Sequence, residues 1–330
     1  MKSKIWLFFF TSSFLFLTGL FYISLRRPLA PATLKVLTYS SFAGAYGPGP
    51  LLKEEFEKKC SCRLQWFLSE DSTSLLQRFT ILRNIDVVLG WDQITKLSLN
   101  KENWKDLSFL KKYLLENPFL NSPFFIPFDW SPIGFIYKDD KYKISSFSEL
   151  KDFSGWISFP EPRTSNLGLQ FYYWIYEWSQ GDLEKISLFL KQIQNKIYGS
   201  VPSWSLSYGF FRKGQTQLSL SYLSSLLYHQ KEEPGQDYFF AEFKEGHPYQ
   251  VEFFSISEST KNKDLALQFA RLLLSEKGQK ILLNRHYMFP VSKSFEKKDK
   301  REVSLLDYNR LEEFIDKKQD LLNLWDQSFN

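Results

Sequence analysis

Aromatic rings and short polar side chains stand together where strand-like runs give way to loops and helix starts, a pattern suited to holding a molecule rather than breaking bonds. In the first half of the chain they are Tyr39, Tyr46, Asp71 and Ser72; in the second, Ser165, Asn166, Trp204, Tyr222, Ser224, Ser225 and Tyr228. Rings can sandwich a flat or cationic ligand, each cation–π contact contributing ~0.5–2 kcal/mol according to its desolvation. Helix-start N–H groups can hold an anionic or hydroxyl group. Each residue alone has a plainer use: a Tyr packs in a core, and Asp71 or Ser165 caps a helix. Placed together in both halves, they describe a cleft.

Catalysis finds little to work with. A nucleophile-activating base would have to be His229, His247 or His286, the only histidines, and nothing near them in sequence supports that role. No G-x-S-x-G, H-E-x-x-H or P-loop pattern occurs, and Gly44–Pro50 lacks the Lys-Ser/Thr ending that phosphate cradles require. Cys60 and Cys62 are the only cysteines, short of the about four ligands of a structural zinc site. Outside the cytoplasm they read as a small disulfide or as two partly buried thiols. The expectation is a protein with no catalytic residues, no metal and no cofactor.

The elements that must position these residues follow an α/β rhythm. Leu34–Tyr39 reads as a strand, Pro50 starts a helix with Leu52 and Phe56 on one face, Arg63–Ser69 is a second strand, Asp71 and Ser72 cap a helix, and Ile85–Gly90 is a buried strand. Such alternation predicts a parallel sheet, with ligands held beyond the carboxyl ends of its strands. Phe128–Tyr137 reads as a crossing strand. A second series follows: strand Trp156–Phe159, aromatic helix Leu167–Trp178, a helix from Trp204, strand Gln217–Tyr222, helix Leu223–Lys231, strand Val251–Ser257 and one long helix, Asp264–Leu283. Arg301–Asn330 reads as charged helix on a lobe surface.

At 330 residues, 43% of them hydrophobic and 18% aromatic, the chain has material for two cores. Met1–Lys4 carries two lysines, Ile5–Leu25 is nearly all apolar, Arg26-Arg27 follows, and no acid precedes Thr33. That reads as an export signal with a small-residue site at Ala30–Ala32, or as an uncleaved anchor, since ~20 apolar residues span a bilayer. Removing the four leader cations leaves 38 basic against 37 acidic side chains, so no basic face calls for nucleic acid.

Further segments, in order from about residue 35 to 295, resemble the bacterial thiamine-binding periplasmic proteins of the type II solute-binding class. They are Thr38–Ala43 with Gly47–Pro50, Cys60-Ser-Cys62, Glu70-Asp71 before Ser74–Arg78, Asp86–Gly90, Pro127–Asp129, Pro162–Ser165, Trp204 with Tyr208-Gly209, Leu218–Tyr222, Tyr228-His229, Glu245–His247 with Gln250–Glu252, and Met288–Val291. The resemblance implies two α/β lobes, each a mixed, mainly parallel sheet flanked by helices, joined by crossing hinge strands. The expected division is 1–32 leader, 33–130 with 258–330 as lobe 1, and 131–257 as lobe 2.

The resemblance further implies that Asp71, Ser72, Ser165, Asn166, Trp204, Tyr222, Leu223, Ser224 and Ser225 bind thiamine or a thiamine phosphate, with Tyr39, Tyr46, Tyr228 and Tyr287 as aromatic walls. Asp71 would then be counter-charge to the thiazolium or simply a helix cap. Ser40 stands where an acid is expected, and Tyr46 and Tyr287 where Trp is expected. The implied role is a monomeric periplasmic protein that delivers its ligand to an ABC permease with a separate ATPase. Rivals are a same-fold binder of ferric iron or a polyamine, and an exported thiamine-degrading enzyme.

Overall fold

Strand β1 (Thr33–Tyr39) becomes more deeply covered along its length, its last four residues all buried, and so it can only lie inside a sheet. The computed structural model, which describes residues 31–115, 122–294 and 303–329, places it between two parallel neighbours, β2 (Arg63–Ser69) and β3 (Val87–Trp91). The remaining strands are β4 (Ile126–Tyr137), β5 (Ile157–Pro160), β6 (Ile197–Val201), β7 (Leu218–Tyr222), β8 (Phe239–Ala241), β9 (Tyr249–Ile256) and β10 (Phe289–Pro290). Their order is β2-β1-β3-β9-β4-β7-β5-β6, with β8 and β10 also paired to β4.

The two long antiparallel strands β4 and β9 join the halves. Ile126–Pro132 of β4 pairs with β9, whereas Ile133–Ile136 pairs with β7. One apolar cluster, with Leu34, Phe42, Phe56, Phe128 and Phe269, and another with Leu37, Trp91 and Phe253 cover the first half. A separate cluster of Phe135, Phe147, Phe159, Phe171 and Trp174 fills the second. This is the expected two-lobed α/β fold. The aromatic wealth of the chain is mostly core: every residue from Asn166 to Tyr176 in the Asn166–Ser179 helix is buried.

Several boundaries differ from expectation. The predicted helix over 264–283 is two helices, Lys263–Leu274 and Glu276–Arg285, broken at Ser275, whose extended backbone lets its hydroxyl accept from Gly278 N–H at 3.2 Å. A Cβ at Gly278 would fall 1.9 Å from the Leu272 carbonyl oxygen, so this turn depends on glycine. Strand β6, an edge strand with alternate residues exposed, carries too weak an apolar signal to predict.

Residues 258–330 were expected on the first lobe, and Phe269, Leu273 and Leu282 do pack there. Phe314, Leu321 and Trp325, however, sit in the second lobe's cluster. The last segment therefore packs on the second cluster, where Leu311, Ile315, Leu324 and Phe329 join these three residues. Cys60 and Cys62 are joined as a disulfide, with Ser61 between them left-handed at φ 49°. The apolar run Ile5–Leu25 lies outside the described residues, and among those described no helix is long and apolar enough to cross a membrane.

Candidate functional site

The carboxyl ends of the strands bring most of the predicted residues together, as parallel α/β sheets dictate. Tyr39 ends β1, and the turn after β2 carries Asp71 and Ser72. Asp71 accepts hydrogen bonds from Thr73 N–H at 3.3 Å and from the Ser72 hydroxyl at 3.1 Å, so it does cap its turn. It also faces the second lobe. The Asn166 backbone amide supports its charge, while burial, the larger influence, pushes its pKa up. Next to it, the Thr73 hydroxyl donates across the cleft to the Thr164 carbonyl at 3.2 Å.

From the second lobe, Ser165 is the residue before the Asn166–Ser179 helix, and both Ser165 and Asn166 are buried. Ser165 Oγ and Asn166 Oδ1 have no hydrogen-bond partner in the protein, which is uncommon for covered polar atoms and marks them as candidate ligand contacts. Trp204 begins its helix after the cap Ser203, stacks on Tyr208 with ring centroids 5.2 Å apart, and donates from its indole N–H to Ser221 Oγ at 3.2 Å. Tyr222 ends β7, its ring 6.1 Å from that of Trp204. Ser224 N–H donates to Ser131 Oγ at 3.1 Å, and Ser225 Oγ lies 2.9 Å from Ser221 Oγ.

Not every predicted residue joins this group. Leu223 packs into an apolar cluster with Ile136, Tyr208 and Phe211. Tyr228 and Tyr287 pair edge to face at 5.1 Å, and the Tyr287 hydroxyl donates to Glu232 Oε1 at 3.2 Å. Tyr46 is 89% exposed. Tyr39, expected as an aromatic wall, has its hydroxyl committed inward: it lies 2.6 Å from Glu252 Oε2 and 2.9 Å from His286 Nε2. Gly90 makes room for it. At φ +108° it places no side chain where a Cβ would come within 2.6 Å of the Tyr39 ring.

The residues that sequence reasoning passed over as site residues are the polar ones on the hinge strands. Gln250 and Glu252, two apart on β9, point to the same face of an otherwise buried strand. Gln250 Oε1 accepts from Asn166 Nδ2 and from the Tyr222 hydroxyl, both at 2.8 Å, while its Nε2 donates to Glu252 Oε1 at 2.9 Å. Asp129 on β4 meets His286, with Oδ2 2.9 Å from Nδ1. The closest donor atoms of Asp129, Glu252 and His286 lie within 4.8 Å of one another, but both ring nitrogens of His286 are already engaged, by Asp129 and Tyr39, which leaves none for a metal in this arrangement. Burial, then Asp129, pushes the Glu252 carboxyl up to about 8. Asp92, just beyond β3, accepts from Ile94 and Thr95 N–H at 2.7 and 2.8 Å. A polar pair in a mostly apolar strand was the available signal for Gln250 and Glu252.

Comparison with known proteins bears on what this cleft is for. The profile of bacterial extracellular solute-binding proteins matches residues 106–287. The thiamine-binding periplasmic protein of Escherichia coli (strain K12) is 33% identical over 271 residues, 80% of this chain and 82% of that one. The chain belongs to the bacterial extracellular solute-binding proteins. Members of this family capture solutes and are not enzymes. The thiamine-binding periplasmic protein of Haemophilus influenzae (strain KW20) is 31% identical over 79% of this chain and 80% of its own length. A solved periplasmic thiamin-binding protein superposes with a TM-score of 0.82 at 28% identity, over 92% of this chain and 99% of that one. Iron-bound HitA from Pseudomonas aeruginosa, at 17% identity and a TM-score of 0.70, shares the fold. In this solute-binding protein the candidate residues come from both halves of the sheet and from the long strands β4 and β9 that join them.

Proposed function

We propose that this protein captures thiamine or a thiamine phosphate between its lobes and delivers it to an ABC importer. The observation that carries the reading is the likeness to thiamine-binding relatives across about four fifths of the chain. The site chemistry agrees with it. A flat aminopyrimidine suits the Trp204 and Tyr222 rings, a thiazolium suits π faces and the Asp71 carboxylate, and a hydroxyethyl or phosphate arm suits Ser165, Asn166, Ser224 and Ser225. Export by the leader to the periplasm, action as a monomer, and docking to a permease with a separate ATPase complete the proposal.

Isothermal titration of protein refolded to strip carried-over ligand tests it, with thiamine, its mono- and diphosphate, and spermidine as control. Tight one-to-one binding of a thiamine species, weakened in Trp204→Ala and in Asp71→Ala, is the expected result. Folded protein that binds none of the three removes the ligand assignment.

A further inference from the structure

Toward its start, before Phe253 pairs with Trp91, β9 has no strand beside it on the β3 side among the described residues. The backbone groups that Tyr249 and Val251 turn to that side need other partners, and side chains supply them. Gln93, just beyond β3, accepts from the Val251 N–H at 3.1 Å and donates to the Tyr249 carbonyl. The Tyr249 N–H donates to the Tyr308 hydroxyl at 3.1 Å, and that hydroxyl lies 2.7 Å from the Tyr249 carbonyl oxygen. Gln250, whose side chain holds Asn166 and Tyr222, is thereby gripped on both flanks.

Tyr308 also reaches the second lobe. Its hydroxyl lies 2.8 Å from Gln170 Oε1, one turn beyond Asn166 in the Asn166–Ser179 helix, and its ring stacks on Tyr173 with centroids 4.6 Å apart. From the first half, Gln93 Nε2 donates to the same hydroxyl at 3.1 Å. The ring packs both against the first-half cluster of Leu37, Trp91 and Phe253 and against the second-lobe cluster of Phe135 and Trp174. Its backbone is left-handed at φ 54°, a conformation that a residue with a Cβ keeps only where its surroundings fix it. These contacts close a frame: Tyr249 adjoins Gln250, Gln170 stands one turn after Asn166, and Gln250 and Asn166 are themselves joined at 2.8 Å.

We propose that Tyr308 is a positioning residue for the ligand site, its hydroxyl holding β9 against the Asn166–Ser179 helix so that Gln250 and Asn166 stand in register for the ligand. The proposal rests on the thiamine reading and deepens it. Tyr308 acts through Tyr249 and Gln170 rather than on the ligand. Without its hydroxyl the two arms of the frame drift, fewer molecules hold the binding arrangement at any moment, and apparent affinity falls by that fraction. A merely structural residue behaves differently: well below the melting temperature nearly every molecule is folded, and its loss leaves affinity unchanged.

The test titrates thiamine, its monophosphate and its diphosphate into wild type, Tyr308→Phe, Gln170→Met, the double variant and Arg310→Ala, each well below its own melting temperature. Tyr308→Phe keeps the ring contacts and is expected to weaken binding on the order of threefold to tenfold, the scale of one lost hydrogen bond. Gln170→Met breaks the helix arm alone and is expected to lose a similar factor. The double variant should bind no more weakly than Tyr308→Phe, because both changes break the same contact. Arg310→Ala frees the same segment from Glu177, with which Arg310 pairs at 3.1 Å, and should stay within about twofold of wild type. Unchanged affinity in either single variant that folds overturns the proposal, as do penalties that add in the double variant or an equal loss in Arg310→Ala. Wild type that binds none of the three ligands overturns the thiamine reading and this inference with it, whereas wild type that binds no more tightly than Tyr308→Phe overturns this inference alone.

Discussion

Two tyrosine–histidine–carboxylate chains lie on either side of the cleft, and they are built for different ends. On the hinge side, Tyr39 meets His286, which meets Asp129. In the second lobe, the Tyr208 hydroxyl meets His229 Nε2, whose Nδ1 lies 3.3 Å from Glu233. The second chain is neutralised locally: Arg212 pairs with Glu233 at 2.5 Å, and Lys138 lies over the Tyr238 ring at 4.9 Å. His229 stacks on that ring with centroids 3.6 Å apart. This chain braces Tyr208, and through it Trp204, without placing net charge beside the ligand. The hinge chain has no Lys or Arg ion-paired to it among the described residues, and burial raises both of its carboxyls instead. Similar residue types thus hold their carboxyls beside a cation in one place and raised by burial in the other, according to what stands behind them.

The largest expected effect breaks the brace. His229→Ala removes a buried ring and leaves Tyr208 and Glu233 without their shared partner, at a cost of about 2–4 kcal/mol in urea unfolding. A loss below about 1 kcal/mol would mean that the second chain is incidental. Trp204→Ala comes next. Its ring is half-buried, so stability falls less, by about 1–2 kcal/mol, while thiamine affinity drops ~10-fold or more as one stacking face disappears. An affinity drop matched by loss of folding would place Trp204 with the brace rather than with the ligand.

The pH dependence of stability separates the two chains by sign. Glu252 binds its proton more tightly folded, at about 8, than in the unfolded chain. Its protonated form stabilises the fold fully below the unfolded value near ~4.3, and this contribution is lost as pH rises toward 8. His229 behaves oppositely. Burial holds it at about 4, below the ~6.5 of a free imidazole, so the unfolded state takes the extra proton and stability is lost as pH falls from 6.5 toward 4. His247, also held near 4 by burial, adds to that acid limb. Urea midpoints at pH 5, 6.5 and 8 should therefore peak in the middle. Glu252→Gln should flatten the fall toward pH 8 and leave the acid limb, and His229→Phe should do the reverse. An unchanged alkaline limb in Glu252→Gln would return that carboxyl to an ordinary ionised state.

Legibility in the sequence followed the same division. Both lobes could be read because strand and helix periodicities are local and strong: Arg63–Ser69 is predicted and observed with the same ends. Positions at strand ends and helix starts were equally legible, since Tyr222 ends β7 and Ser165 and Trp204 stand at helix starts as the pattern predicts. The hinge-side chain was not. Asp129 and His286 are 157 residues apart in the chain, and nothing in either neighbourhood announces the other. Likewise, nothing near His229 in sequence announces its partners, Tyr208 and Tyr238, which the tertiary fold assembles. Side chains that owe their role to one another are visible only once the sheet has brought them together.

The smallest expected effect concerns Tyr46, the most exposed ring among the predicted site residues. At 89% exposed it has almost no burial to lose, and Gly44 and Gly47 already close its turn through their own backbone hydrogen bond at 3.0 Å. Tyr46→Ala should therefore change stability by no more than about 0.5 kcal/mol. That neutrality makes the variant a clean reporter, since any loss of thiamine affinity at unchanged melting temperature is direct contact between this ring and bound ligand. A fall in melting temperature of several degrees would instead show that the exposed turn is part of the scaffold. It would then belong with His229 and Tyr208, as a residue that shapes the cleft without touching what the cleft holds.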